Sequence, residues 1–437
     1  MALPSQGTLP SHSELCEDVL GGSSDRATAR GGPRESEHFM NRNSYSWLIQ
    51  HVLARFCVAL LMVILALSIN LHSQDLGALR LSEFHPSPKL RVPTSDLHTA
   101  KFPVVDVHSH FHFKFPQQEQ SLDDFVSLMD RNNLAICISL DGQLNDRLHE
   151  QIKFLWSKYK QRFAVFANIN WQGNGLAGRY ETWASNQSDF AHATVLQLQQ
   201  AKLLGISGVK VFKQFGLHYR AIDGELLEID DSRFAPIWDE CGRLGLPVIM
   251  HTADPSAFFD DITPENERYE ELSRHPDWHY PADRFPSRRH LHEARSRLFE
   301  RHRNTTFIAA HMANDAEDLQ EVADILDRFP NVYVEIASRI SELGRQPYTC
   351  RDFMLRYQDR ILFGTDGPWP EKRYQSYWRF LETKDEYFPY SEKEIPPQGL
   401  WQIYGVYLPD DVLRKIYSEN AARIIPGIEE RLTALMQ

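Results

Sequence analysis

The strongest constraint on how this chain folds is a rhythm that runs from residue 103 to residue 364. Eight short runs of apolar and β-branched residues recur there, at 103–107, 134–140, 163–169, 208–212, 247–250, 306–310, 332–336 and 361–364. Segments with helical amphipathic spacing separate them at 122–132, 191–204, 234–244, 315–329 and 352–357, and a last one follows near 410–424. Continuously apolar strands that alternate with helices are buried on both faces and pair in parallel, and eight such repeats close into a barrel. The predicted fold class is therefore α/β, a TIM (β/α)8 barrel. Long connections, 252–289 and 367–409, follow the fifth and eighth strands and are rich in Trp, Tyr, Phe, His and Pro. Both leave the C-terminal ends of strands, where barrels build their sites, so they read as lids over a pocket.

A chain of 437 residues is long for one ordinary domain. A barrel of about 250 residues or more is nevertheless a single unit. The predicted barrel domain is 101–427, preceded by a polar linker at 74–100. Residues 1–39 lack apolar periodicity and are expected to be disordered or untranslated. Residues 40–73 read as a secretory signal or a membrane anchor. Residues 40–55 carry Arg42 and Arg55 and no acid, an apolar run fills 56–67, and Ala66-Leu67-Ser68 matches a signal-peptidase site. The run is shorter than the roughly 20 residues of a spanning helix, which favours cleavage and export to the periplasm or the medium. Without cleavage, membrane contact would run through residues 56–71. Met40 is a plausible true start because it leaves an n-region of ordinary length. The net charge of −12 is spread along the chain without a basic stripe, which argues against nucleic acid as a partner. Five scattered cysteines with no CxxC pair form neither a disulfide framework nor a cysteine zinc site. The sequence carries no specific signal for an oligomeric state.

The chemistry sits at the strand ends. Asp106-Val107-His108-Ser109-His110 closes the first strand. Period-two alternation would place Asp106, His108 and His110 on one face, both imidazoles facing one ion. Neutral imidazoles on a rigid strand suit zinc first, then manganese, iron or cobalt. His251 follows the fifth run, His311 the sixth, and Asp366 lies just beyond the eighth. An HxH pair alone is a weak signal, and a lone buried His is as often a structural one. Four strand ends carrying such residues together change that balance.

These residues stand in VDVHSH, PVIMHTAD, FIAAHMAND and LFGTDGPW. In these motifs and their order the chain resembles the amidohydrolase superfamily, specifically the amidohydrolase-related branch that includes aminocarboxymuconate semialdehyde decarboxylase. The resemblance covers roughly residues 103–425. It implies one divalent metal held by His108, His110, His251 and Asp366, with His311 acting on water or substrate. Such a metal lowers the pKa of bound water towards about 7. Asp366 would then shuttle the proton, and His311 would orient water or stabilise an oxyanion.

Other positions stay open. Lys210 or Lys213, on the fourth strand, matches the place of a carboxylated bridging lysine in other branches, or Lys210 forms a charged wall facing a substrate anion. Arg339 and Arg345, after the seventh strand with Glu335, are candidate carboxylate clamps. Trp369, His112, His275, His279 and His290 are candidate pocket linings, and Asp254 and Asn314 would cap turns or touch substrate. The expected activity is metal-dependent hydrolysis of an ester, lactone or amide in a small carboxylate-bearing molecule. Its rivals are nonoxidative decarboxylation of an unsaturated or aromatic acid and a noncatalytic binding barrel.

Overall fold

All eight expected strands form. They are β1 (Val104–Ser109), β2 (Leu134–Gln143), β3 (Phe163–Asn168), β4 (Gly208–Val211), β5 (Val248–Met250), β6 (Phe307–Ala309), β7 (Val332–Glu335) and β8 (Ile361–Leu362), and they pair in chain order in one sheet of eight. Every ladder is parallel. The circle closes between β8 and β1, where Val107 N–H donates to Phe363 O at 3.0 Å and Gly367 N–H to His108 O at 3.2 Å. The chain is a TIM barrel.

The computed structural model describes residues 86–144 and 146–437, with 53, 55–63, 79–80 and 83–84 besides. Two compact units emerge, Met1–Arg91 and Val92–Gln437, and the barrel is the second. In the first, residues 55–63 are helical. No helix among the described residues is long and apolar enough to cross a membrane. The cleavage signature at Ala66-Leu67-Ser68, the start at Met40 and residues 1–39 lie outside the described residues.

Alternation along the strands divides the core. Val105, Val107, Ile136, Ile138, Phe166 and Ile308 fill the barrel interior, floored by Ala421, Ile425 and Ile428. Residues of opposite parity, such as Phe163, Val165, Val209 and Val248, pack outward against the helices. The barrel's helices are α1 (Glu119–Arg131), α2 (Asp146–Tyr159), α3 (Phe190–Leu204), α4 (Ala235–Arg243), α5 (Tyr269–Arg274), α6 (Arg288–Arg301), α7 (Leu319–Arg328), α8 (Ile340–Leu343), α9 (Pro347–Arg356) and α10 (Glu371–Glu382), followed by a helical stretch from Asp410 to Ile424 and by α11 (Ile428–Met436). In α7, Leu319, Val322, Ala323, Ile325 and Leu326 form the buried stripe, and Asp318 caps the N–H groups of Gln320 and Glu321. Each large aliphatic side chain so buried contributes about 1.5–3 kcal/mol.

Several helices escaped the sequence pattern, two of them for visible reasons. The inner face of α2 carries Gln151 between Leu148 and Leu155, which breaks the apolar period. α10 lies within the segment expected to be a lid, and its buried face is Tyr374, Tyr377, Trp378 and Leu381, an aromatic stripe. The barrel unit also begins earlier than residue 101: Ser95 donates from its N–H (2.9 Å) and its Oγ (2.8 Å) to Asp385 and ties the end of the linker down.

Candidate metal centre

Three imidazoles at the C-terminal mouth are held by their Nδ1 atoms. His108 Nδ1 lies 2.9 Å from Glu335 Oε1, His110 Nδ1 2.7 Å from Asp141 Oδ1, and His311 Nδ1 2.9 Å from Ala337 O. A carbonyl or carboxylate oxygen only accepts, so each Nδ1 carries the hydrogen, and on the neutral rings of His108 and His311 Nε2 keeps its lone pair. This is how metal-binding histidines are oriented by their outer partners. Nε2 of His110 lies 3.3 Å and that of His108 4.0 Å from Asp366 Oδ1. Donor atoms of His108, His110 and Asp366 all lie within 4.8 Å of one another. Two nitrogens and one carboxylate oxygen with fixed tautomers fit a divalent cation of the zinc or manganese type.

A second group, His108, His311 and Glu335, meets the same distance limit. Its carboxylate is already committed. Glu335 accepts from His108 Nδ1, from His311 N–H at 2.8 Å and from Ala337 N–H. It therefore orients the imidazole of His108 and the backbone of His311 and leaves little capacity for an ion of its own.

Burial, together with the charge of Lys210, pushes His108 well below the usual imidazole range. Burial and the neighbouring imidazoles do the same to His311. Both are neutral donors at pH 7. Burial would raise Asp366, but the His110 hydrogen bond and the charge of Lys114 outweigh it and hold the carboxyl well below its usual range. Lys210 is fully buried with its Nζ 3.4 Å from His108 Nε2, and burial lowers it to about 8 against the pull of Glu335 and Asp366.

The structure distributes the remaining expected residues unevenly. His251 is in neither donor group. Its ring lies 4.5 Å from that of His311, and its Nε2, buried without a hydrogen-bond partner, lies 3.4 Å from Asp254 Oδ1, an ion-pair distance. Burial lowers its pKa to about 4. Lys213 pairs with Asp254 at 2.5 Å. Arg339 donates to Ser338 O and Asn314 Oδ1, both at 2.9 Å, and its Nε is buried without a partner. Arg345 stands apart, pairing with Glu267 at 3.1 Å and stacking on Trp401 at 3.9 Å. Trp369 bonds to Thr365 O at 2.9 Å and lies 5.2 Å from the ammonium of Lys114. His290 pairs with Glu228, and His275 stacks on Trp278.

The expectation that Asp106 shares a face with the two imidazoles is corrected. The β1 ladder is irregular between Asp106 and Ser109, which breaks the alternation. Asp106 turns to Thr365, and burial raises its carboxyl to about 7. Sequence reasoning also missed three groups. Asp141 lies in β2 without a motif around it. Lys114 puts its Nζ 2.7 Å from Asp366 Oδ1, and Ser338 its Oγ 3.2 Å from Asp366 Oδ2. Only Lys114 had a local signal, its place four residues after His110.

A profile of the amidohydrolase family matches residues 105–427. The chain belongs to that family. Among solved structures it is similar to 2,6-dihydroxybenzoate decarboxylase from Rhizobium, at 18% identity over 74% of this chain and 98% of the other, with a TM-score of 0.45. It is similar to dihydroxybenzoic acid decarboxylase from Polaromonas sp. JS666, a structure with bound manganese and an inhibitor, at 17% identity over 74% and 96%, TM-score 0.43. Dihydroorotase from Campylobacter jejuni is a further likeness, at 12% identity over 74% and 82%, TM-score 0.38. A search of curated proteins found no match.

Proposed function

We propose that this chain is a metal-dependent hydrolase acting on an ester, lactone or amide bond of a small carboxylate-bearing molecule. The observation that carries the reading is the convergence of His108 Nε2, His110 Nε2 and Asp366 at the barrel mouth, each imidazole fixed through its Nδ1. His108, His110, Asp366 and His251 would hold one divalent cation, zinc first. A bound cation supplies a Lewis acid and acidifies water at that point.

The residues then divide the work. Asp366, held ionised, accepts a proton from the attacking water and returns it to the leaving oxygen or nitrogen. His311 has its Nδ1–H engaged by Ala337 O and is neutral, so its Nε2 can only accept. That favours orienting water over donating to an oxyanion. Lys210 offers a buried positive charge to a substrate oxygen.

Decarboxylation is the second reading, favoured by Phe212 stacked 6.0 Å from His110 and Phe113 at 6.4 Å, faces that suit a planar unsaturated acid beside Lys210. Elemental analysis of the purified barrel should find one equivalent of metal. A screen of lactones, esters, amides and unsaturated acids that follows oxygen-18 uptake and carbon dioxide release separately should show uptake. Release alone selects the second reading, and no metal after supplementation overturns both.

A further inference from the structure

The carboxylate end of the proposed centre is not placed by the sheet. β8 holds only Ile361–Leu362 in its ladder, and Asp366 lies beyond it with φ of +63°, a left-handed conformation that a non-glycine residue adopts only when its surroundings hold it. Both of its chain neighbours are tied to β1. Gly367 N–H donates to His108 O, and His110 N–H to Gly367 O at 2.6 Å. Thr365, on the other side, is tied to β1 through Asp106: its N–H reaches Asp106 Oδ1 at 3.1 Å and its Oγ–H reaches Oδ2 at 2.5 Å, while Trp369 and Tyr377 hold its carbonyl from the β8 side. The same Oδ1 accepts the N–H of His108 at 3.1 Å.

We infer that Asp106 is a positioning residue that sets the separation of His108 from Asp366, and thereby the affinity of the centre for a divalent cation. One carboxylate grips the backbone of a β1 donor and the residue preceding the β8 donor, 259 positions later in the chain. It belongs to neither donor group, is fully buried and has no ion-pair partner among the described residues. Burying a carboxylate without a cation beside it is costly, and an apolar pair would close a seam more cheaply. The three hydrogen bonds that it collects are what this residue supplies. Ligand-orienting partners of this kind typically change metal affinity about 10- to 100-fold when removed.

The inference rests on the proposed metal-dependent function, and calorimetric titration of the chelator-stripped full chain with Mn2+ tests the two separately. Wild type that binds neither Mn2+ nor Zn2+ removes the functional reading itself. Given binding by wild type, Asp106→Asn should weaken Mn2+ about 10- to 100-fold. Thr365→Val should weaken it less, and Thr365→Ser, which restores the hydroxyl, should match wild type. The double variant Asp106→Asn/Thr365→Val should bind no more weakly than Asp106→Asn, because both remove one coupled interaction. A purely structural role would lower the melting temperature and leave affinity alone. Unchanged affinity in a folded Asp106→Asn chain, or additive losses in the double variant, overturns the inference. If Asp106→Asn does not fold, Thr365→Val against Thr365→Ser decides it, and equal affinities overturn it.

Discussion

The two sides of the barrel mouth are built differently. On the β1–β3 side the strands are 6, 10 and 6 residues long, and the functional groups, His108 and its neighbour's partner Asp141, lie within the strands, at the ladder irregularities between Asp106 and Ser109 and between Ser139 and Gly142. On the β5–β8 side the strands are 3, 3, 4 and 2 residues long. Apart from Glu335 in β7, their functional groups sit beyond the ladder, where Ala253, His311 through Asn314, Ser338 and Asp366 all have positive φ. Hydrogen bonds from side chains replace the ladder there. Asn314 donates to Thr252 O at 2.8 Å and to Ala253 O at 3.2 Å and accepts from Arg339, joining the ends of β5, β6 and β7. Arg288 and Arg295 donate to Asn314 O and Ala313 O from α6. A rigid sheet can place two donors, and a second sector that places the proton-transferring groups need not be sheet at all.

The largest effects should separate ligands from acid–base groups across this divide. His108→Ala, on the ladder side, should lose metal and activity together. Asp366→Asn should abolish turnover and keep a substantial share of metal, because an oxygen donor remains while the proton acceptor is gone. His311→Ala should keep nearly full metal and lose roughly two to four orders of magnitude in turnover. Metal analysis beside turnover reads all three. Metal loss in His311→Ala as deep as in His108→Ala would make His311 a ligand and erase the division.

A middle-sized effect tests the tie between loops. Asn314→Ala removes three hydrogen bonds at a buried position and leaves the Thr252 and Ala253 carbonyls and an Arg339 N–H unpaired. The cost should be about 2–3 kcal/mol in chemical denaturation, with faster amide exchange in the loops after β5 and β7. Stability and exchange like wild type would show that the loops hold themselves.

The smallest effect has opposite signs on the two sides. Ala167 is buried in β3, where Gly should cost about 1 kcal/mol in denaturation. Ala313 has φ of 57°, where Gly relieves a strained conformation, so Ala313→Gly should be neutral or stabilising by up to about 1 kcal/mol. Equal losses at both would mean that the β6 loop carries no such strain.

Much of this could be read before any coordinates. Period and burial made all eight strands legible, because a strand buried on both faces is apolar throughout and needs no knowledge of its partners. The HxH pair was legible for the same reason, since it closes such a strand. α10 was not, because its inner face is aromatic and resembled a lid. Asp106 was misplaced because one irregularity in the ladder reverses a side chain, and a bulge leaves no mark on a period of two.

The sequence by itself determined the barrel, its strand order and the residue types able to bind a cation or move a proton, since these follow from local periodicity and side-chain chemistry. Tertiary structure alone decided which atom of each residue is offered. His108, His110 and His311 present Nε2 only because Glu335, Asp141 and Ala337 hold Nδ1. Tautomers and left-handed turns are set by hydrogen bonds between residues far apart in the chain, and no local pattern encodes those.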